Sequence, residues 1–76
     1  MTPEQEQKIF DICKKYLVKK TGINLSHIIQ ENCGKLTDLP EYLHIKAFIE
    51  ESGEYLVRHE PGVGYLMTKN PDFKKN

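Results

Sequence analysis

The chain predicts an α+β domain, mostly α, in which three helices are closed by a C-terminal two-stranded β-hairpin. Three observations predict it. Apolar residues recur at helical spacing from the N-terminus to Ile49. The segment Phe48-Ile49-Glu50-Glu51-Ser52-Gly53 then ends a helical pattern at a glycine. Two β-prone runs follow at once, residues 55–59 and Gly64–Lys69, parted by Glu60-Pro61-Gly62-Val63, where proline then glycine is turn chemistry.

The first helix is expected to start from Thr2. Thr2 as N-cap, Pro3 at the first helical position and Gln5 three residues after the cap make a capping box. Ile9, Phe10, Cys13, Tyr16 and Leu17 follow on one apolar face, and Gly22 after Lys19-Lys20 reads as a left-handed cap. Ile23-Asn24-Leu25 reads as a short extended segment. A second helix, Leu25–Cys33, takes Asn24 as cap, turns Leu25, Ile28 and Ile29 inward and stops at Gly34. Lys35-Leu36-Thr37 makes a tight connection, and Asp38 with Glu41 starts a third helix that runs to Ser52.

The third helix carries a broad apolar set (Leu39, Tyr42, Leu43, Ile45, Phe48, Ile49) and is expected at the centre, with Pro40, His44, Ala47 and Glu51 as its least buried strip. Phe48, Ile49 and Tyr16 are expected among the most buried side chains. Gly53, which both ends a helix and begins a hairpin, is expected at positive φ. Pairing about the turn sets Val57 opposite Leu66 and Arg58 opposite Tyr65, and Asn70-Pro71 ends the last strand. The domain therefore covers residues 1–70, with 71–76 a polar tail or linker stub.

The order helix, short strand, helix, helix, strand, strand resembles the winged helix-turn-helix family over residues 2–70. The residues that carry the resemblance are Phe48-Ile49-Glu50-Glu51-Ser52-Gly53, Tyr55-Leu56-Val57-Arg58 and Gly64-Tyr65-Leu66-Met67-Thr68. The hairpin is also similar to that of the LOTUS-type winged helix of RNA regulators. Met67-Thr68-Lys69-Asn70-Pro71-Asp72 is similar to N-terminal winged-helix modules of uncharacterised bacterial proteins, in which the chain continues past the wing. The resemblance implies a binding module whose usual DNA contacts come from the start of helix 3 and from the wing.

Size and composition limit the chemistry. A chain of 76 residues leaves no room for an enzyme cleft with its own supporting shell, so no enzymatic activity is expected. Cys13 and Cys33 form no Cys-x-x-Cys pair and read as reduced packing thiols; with no basic leader and no apolar run of about 20 residues, the chain reads as cytoplasmic and free of membrane contact. His27 and Cys33 are six apart on one helix and cannot converge, and His44 and His59 lack near partners, so no metal or other cofactor is expected. Glu50 and Glu51 point about 100° apart on a helix and cannot serve one substrate as an acid–base pair. Gly62-Val63-Gly64 lacks the lysine and the following helix of a phosphate loop.

Lysine plus arginine, 11, equals aspartate plus glutamate, 11. A neutral chain departs from the basic character of most duplex readers. Asp38, Glu41, Glu50 and Glu51 stand in the third helix region against Lys46 alone, and acids there repel phosphate. Lys8, Lys15 and Lys19 share a stripe on helix 1, flanked by Lys14 and Lys20; Asp11 is placed to pair with Lys15 four residues on. The expected function is a non-catalytic module that binds nucleic acid weakly, mainly through phosphates, using Lys14, Lys15, Lys19, Lys46, Arg58 and Lys69. The alternative is a protein-interaction or oligomerisation domain of a larger protein, docking through an apolar patch of Pro40, Leu43, His44, Ala47, Tyr65 and Met67.

Overall fold

The structure, a computed structural model, describes residues 2–34 and 39–73. Helix α1 (Pro3–Leu17) opens with the capping box: the Gln5 N–H donates to Thr2 Oγ1 at 3.2 Å, and Gln5 Oε1 accepts from the Thr2 N–H at 2.9 Å. Its inward face is Ile9, Cys13 and Leu17. Gly22 is no helix cap. The N–H groups of Lys19 and Lys20 both donate to the Tyr16 carbonyl, at 3.1 and 3.0 Å, and Val18 caps the helix in right-handed geometry. With its end closed that way, the helix needs no left-handed glycine.

Gly22 instead opens strand β1 (Gly22–Asn24), and Asn24 passes directly into α2 (Leu25–Cys33). Asn24 Oδ1 accepts the His27 N–H at 3.2 Å, the expected cap, and Leu25, Ile28 and Ile29 are buried. The expected connection at Lys35-Leu36-Thr37, the Asp38 cap and the side chain of Leu39 lie outside the described residues. Helix α3 (Leu39–Glu50) stops two residues before Ser52, because the Gly53 N–H reaches back to the Glu50 carbonyl at 2.9 Å with Gly53 at φ +78°.

The expected two-stranded hairpin is part of a three-stranded antiparallel sheet, ordered β1-β3-β2, with β2 (Tyr55–Glu60) and β3 (Gly64–Lys69). About half of the described residues are helical, and they form an α+β arrangement of three helices on one sheet. The hairpin register differs by one residue from that expected: Val57 pairs with Met67, Arg58 with Leu66 and His59 with Tyr65. The loop is three residues, Pro61-Gly62-Val63, with Gly62 at φ +80° and the Val63 N–H bonded to the Glu60 carbonyl at 3.1 Å. Burial demands this register. Tyr55, Val57, Tyr65 and Met67 all face the core, whereas the expected pairing sets inward Val57 against outward Leu66.

One core unites the elements: Ile9, Cys13 and Leu17 of α1, Leu25 and Ile29 of α2, Ile45 and Ile49 of α3, and Met67 of β3 are fully buried. Two expected core residues are not so deep. Phe48 is half-buried and meets the edge of Phe10, whose ring also packs against Tyr55, at 5.8 and 5.6 Å. Tyr16 is 44% exposed, because Ile9, Cys13 and Leu17 take the centre of the stripe and leave Tyr16 on its margin.

Two polar clamps hold the sheet, one to α3 and one to the link that follows it. Glu50 receives Lys46 Nζ at 2.6 Å on one oxygen and the Val57 N–H at 3.0 Å on the other. Asn70 donates its backbone N–H to the Glu54 carbonyl and its side-chain amide to the Gly53 carbonyl, at 2.9 and 2.8 Å.

Candidate functional site

Two surfaces stand out, one cationic and one largely apolar. The first forms at the carboxyl end of α1. Leu17 is buried, so its neighbours Tyr16 and Val18 turn toward solvent, and the turn closed on the Tyr16 carbonyl brings Lys19 and Lys20 round to the same side. Ile12, Lys15, Tyr16, Lys19 and Lys20 line an open groove of about 460 Å³. Tyr16 and Lys20 also wall a second groove of about 370 Å³, whose far side is Ile23, His27 and Glu31. The Lys20 ammonium lies 5.5 Å from the centroid of the Tyr16 ring, and His27 Nε2 is 2.6 Å from Glu31 Oε1.

The six cations expected to contact nucleic acid do not converge. Among the described residues, Lys15 and Lys19 line a common groove and the other four lie apart from it. Lys14 sits 4.7 Å over the Phe10 ring and pairs with Asp11 at 3.3 Å, so Asp11 takes Lys14 rather than Lys15. A hydrogen bond from Gln7, then that from Lys14, holds the Asp11 carboxyl below its ordinary range. Lys46 is engaged by Glu50; partial burial pushes that carboxyl up, but Lys46 and the Val57 N–H together pull it lower on balance. Arg58 lies 3.6 Å from Glu60 on the outer face of the sheet, and Lys69 is exposed at the end of β3, opposite Tyr55.

The second surface is the outer strip of α3. Pro40, Leu43, His44, Ala47 and Glu51 are exposed, and His44, Ala47, Phe48 and Glu51 border a shallow depression. Tyr65 and Met67, expected in this patch, are not part of it. Both point into the core, and the Tyr65 ring stacks on Tyr42 at 4.6 Å. His44 is held by a partner the sequence reading passed over: its Nδ1 lies 2.6 Å from Oε2 of Glu6. Glu6 is 2% exposed, and it falls three, seven and eleven residues before Ile9, Cys13 and Leu17. That spacing was the available signal for a buried carboxylate. Lys20 was legible as a neighbour of the α1 stripe, but its position in the groove follows from the turn after α1.

Among the described residues, no group of three or more histidine, cysteine, aspartate or glutamate side chains is placed to hold a metal ion. No helix among them is long and apolar enough to cross a membrane. Both cysteines are free, and burial pushes the Cys13 thiol up to about 12, which keeps it protonated and unreactive at neutral pH. No protein-family model matches the chain, and comparison with curated proteins and with solved structures finds no significant match to either.

Proposed function

We propose that the protein is a non-catalytic binding module of the winged helix-turn-helix type that holds nucleic acid weakly, through phosphate contacts at the carboxyl end of α1. The element order α1-β1-α2-α3-β2-β3, with β1 beside the hairpin, supports the winged-helix reading. The observation that carries the binding site is the convergence of Lys15, Lys19 and Lys20 on one groove. None of the three has a carboxylate at ion-pair distance among the described residues. Unpaired lysines release counterions when they meet phosphate, whereas Lys46 and Arg58 would first have to leave Glu50 and Glu60. The contact thus moves away from α3, the helix that winged helix-turn-helix domains usually lay against DNA.

Fluorescence-anisotropy titration of labelled mixed-sequence DNA and RNA tests this. Three phosphate contacts predict a slope of log affinity against log salt of about −2 to −3 and little sequence preference. Reversing Lys15, Lys19 and Lys20 to glutamate should abolish binding, while Lys46→Glu should change it little. Absence of binding at low salt overturns the proposal.

A second reading, protein docking on α3, is favoured by one observation: Leu43, 51% exposed, sits in a strip of Pro40, His44 and Ala47 that holds no lysine or arginine. Leu43→Glu distinguishes the two. It leaves the phosphate contacts intact and removes an apolar contact with a protein.

A further inference from the structure

Two grooves meet at Tyr16, and their chemistry differs. One has an apolar floor at Ile12 and lysine walls; the other runs beyond the same tyrosine along β1 and α2, between Ile23, His27 and Glu31. Tyr16 and Lys20 belong to both. The Tyr16 ring, 44% exposed, stands between the lysine-lined groove and the polar slot.

We infer that the ligand class of the α1 surface is single-stranded nucleic acid, with Tyr16 as the stacking platform for one base. This rests on the phosphate-binding reading above and goes beyond it. Base–aromatic stacking needs a ring whose face can be reached, and phosphates need cations about one backbone step away; both stand here on neighbouring residues of one helix end. Duplex offers its phosphates but keeps its bases stacked inside, so it can use the lysines and not the ring. In the free protein Lys20 lies over Tyr16, a contact of modest strength at an exposed site. An incoming base takes that face and frees the Lys20 ammonium for the adjoining phosphate. The slot beyond the ring, about 370 Å³, has room for a base and meets its edge with the His27–Glu31 pair, which donates and accepts with little preference among bases.

The test compares a short labelled oligothymidylate, the same oligomer annealed into duplex, and an abasic oligomer of equal length, titrated against the wild type, Tyr16→Ala, Tyr16→Phe and Lys15→Gln/Lys19→Gln. Circular dichroism checks that each variant is folded. The inference expects the oligothymidylate to bind more tightly than the duplex or the abasic strand. It expects about a tenfold loss in Tyr16→Ala, which is about 1.4 kcal/mol, and near-wild-type affinity in Tyr16→Phe. Equal binding of all three oligomers, or a Tyr16→Ala variant as tight as wild type while Lys15→Gln/Lys19→Gln fails, overturns the inference and leaves the phosphate reading standing. No binding of any oligomer at low salt overturns both.

Discussion

Nδ1 of His44 lies 2.6 Å from Oε2 of Glu6, and this contact ties the outer strip of α3 to the buried stripe of α1. The two side chains live in different solvents: His44 is 72% exposed and Glu6 only 3%. A carboxyl group at that depth is costly unless a hydrogen-bond partner reaches it, and here the partner arrives from the surface side. A residue that looks like solvated decoration on α3 is thus part of how α1 and α3 are joined.

His44→Ala should therefore destabilise the fold by about 1.5–3 kcal/mol, far more than a typical exposed substitution. The double variant Glu6→Met/His44→Ala should recover most of that loss, because the stranded carboxylate is then gone. Urea denaturation of wild type, both single variants and the double variant measures the coupling. A double variant whose loss equals the sum of the two single losses would show that the pair is not coupled.

The glycine before β2 and the glycine that opens β3 should respond unequally to alanine. Gly53 sits at φ +78°, and an added Cβ there meets only Phe73 Cδ1, at 3.9 Å, so Gly53→Ala should cost about 1 kcal/mol of backbone strain. Gly64 sits at φ +120°, and its Cβ would fall 2.9 Å from Ser26 Oγ, the atom that accepts the Tyr65 N–H at 3.0 Å. Gly64→Ala should cost roughly 2–3 kcal/mol through strain together with the disturbed contact. Denaturation midpoints in the reverse order would mean that the crowding at Ser26 is relieved by a small shift.

Glu50 should make stability fall with acid. Its folded pKa lies below the ordinary value of 4.5, so the unfolded chain takes up the proton first as pH falls. The contribution of the Lys46–Glu50–Val57 clamp is complete above that ordinary value and is lost as pH drops below it and through the folded pKa. Glu50→Gln should lower the melting temperature at neutral pH and flatten its decline between about pH 5 and pH 3. Parallel wild-type and variant curves over that range would remove Glu50 as a source of acid sensitivity.

Much of the fold was legible because its signals are local. Thr2, Pro3 and Gln5 specify the start of α1 through groups within one turn, and Asn24 and Gly34 bracket α2 in the same way. Gly53 announced itself by serving two elements at once. What was hidden depends on distant partners. The pairing of Ile23 with Met67 joins residues 44 apart, and no periodicity in three residues could reveal that β1 completes the sheet. The register slipped because the turn was read as four residues rather than three, and one residue exchanges the faces of a strand. Of the expected sites, Lys15 and Lys19 share a groove because the turn that closes on the Tyr16 carbonyl carries Lys19 back to the side of Lys15. Tyr65 and Met67 left the expected patch with that same register.

β2 is an outer strand, and at its middle the Val57 N–H, directed away from β3, is already bonded to the carboxylate of Glu50. A strand arriving from that side would need this N–H as a donor and would meet an anion instead. To add, it would have to displace a charge-assisted bond and leave Lys46 without its partner. Strand addition along the longer free edge is thereby made costlier at its middle. A single glutamate holds the hairpin to α3 and also disfavours pairing of a further strand at that point.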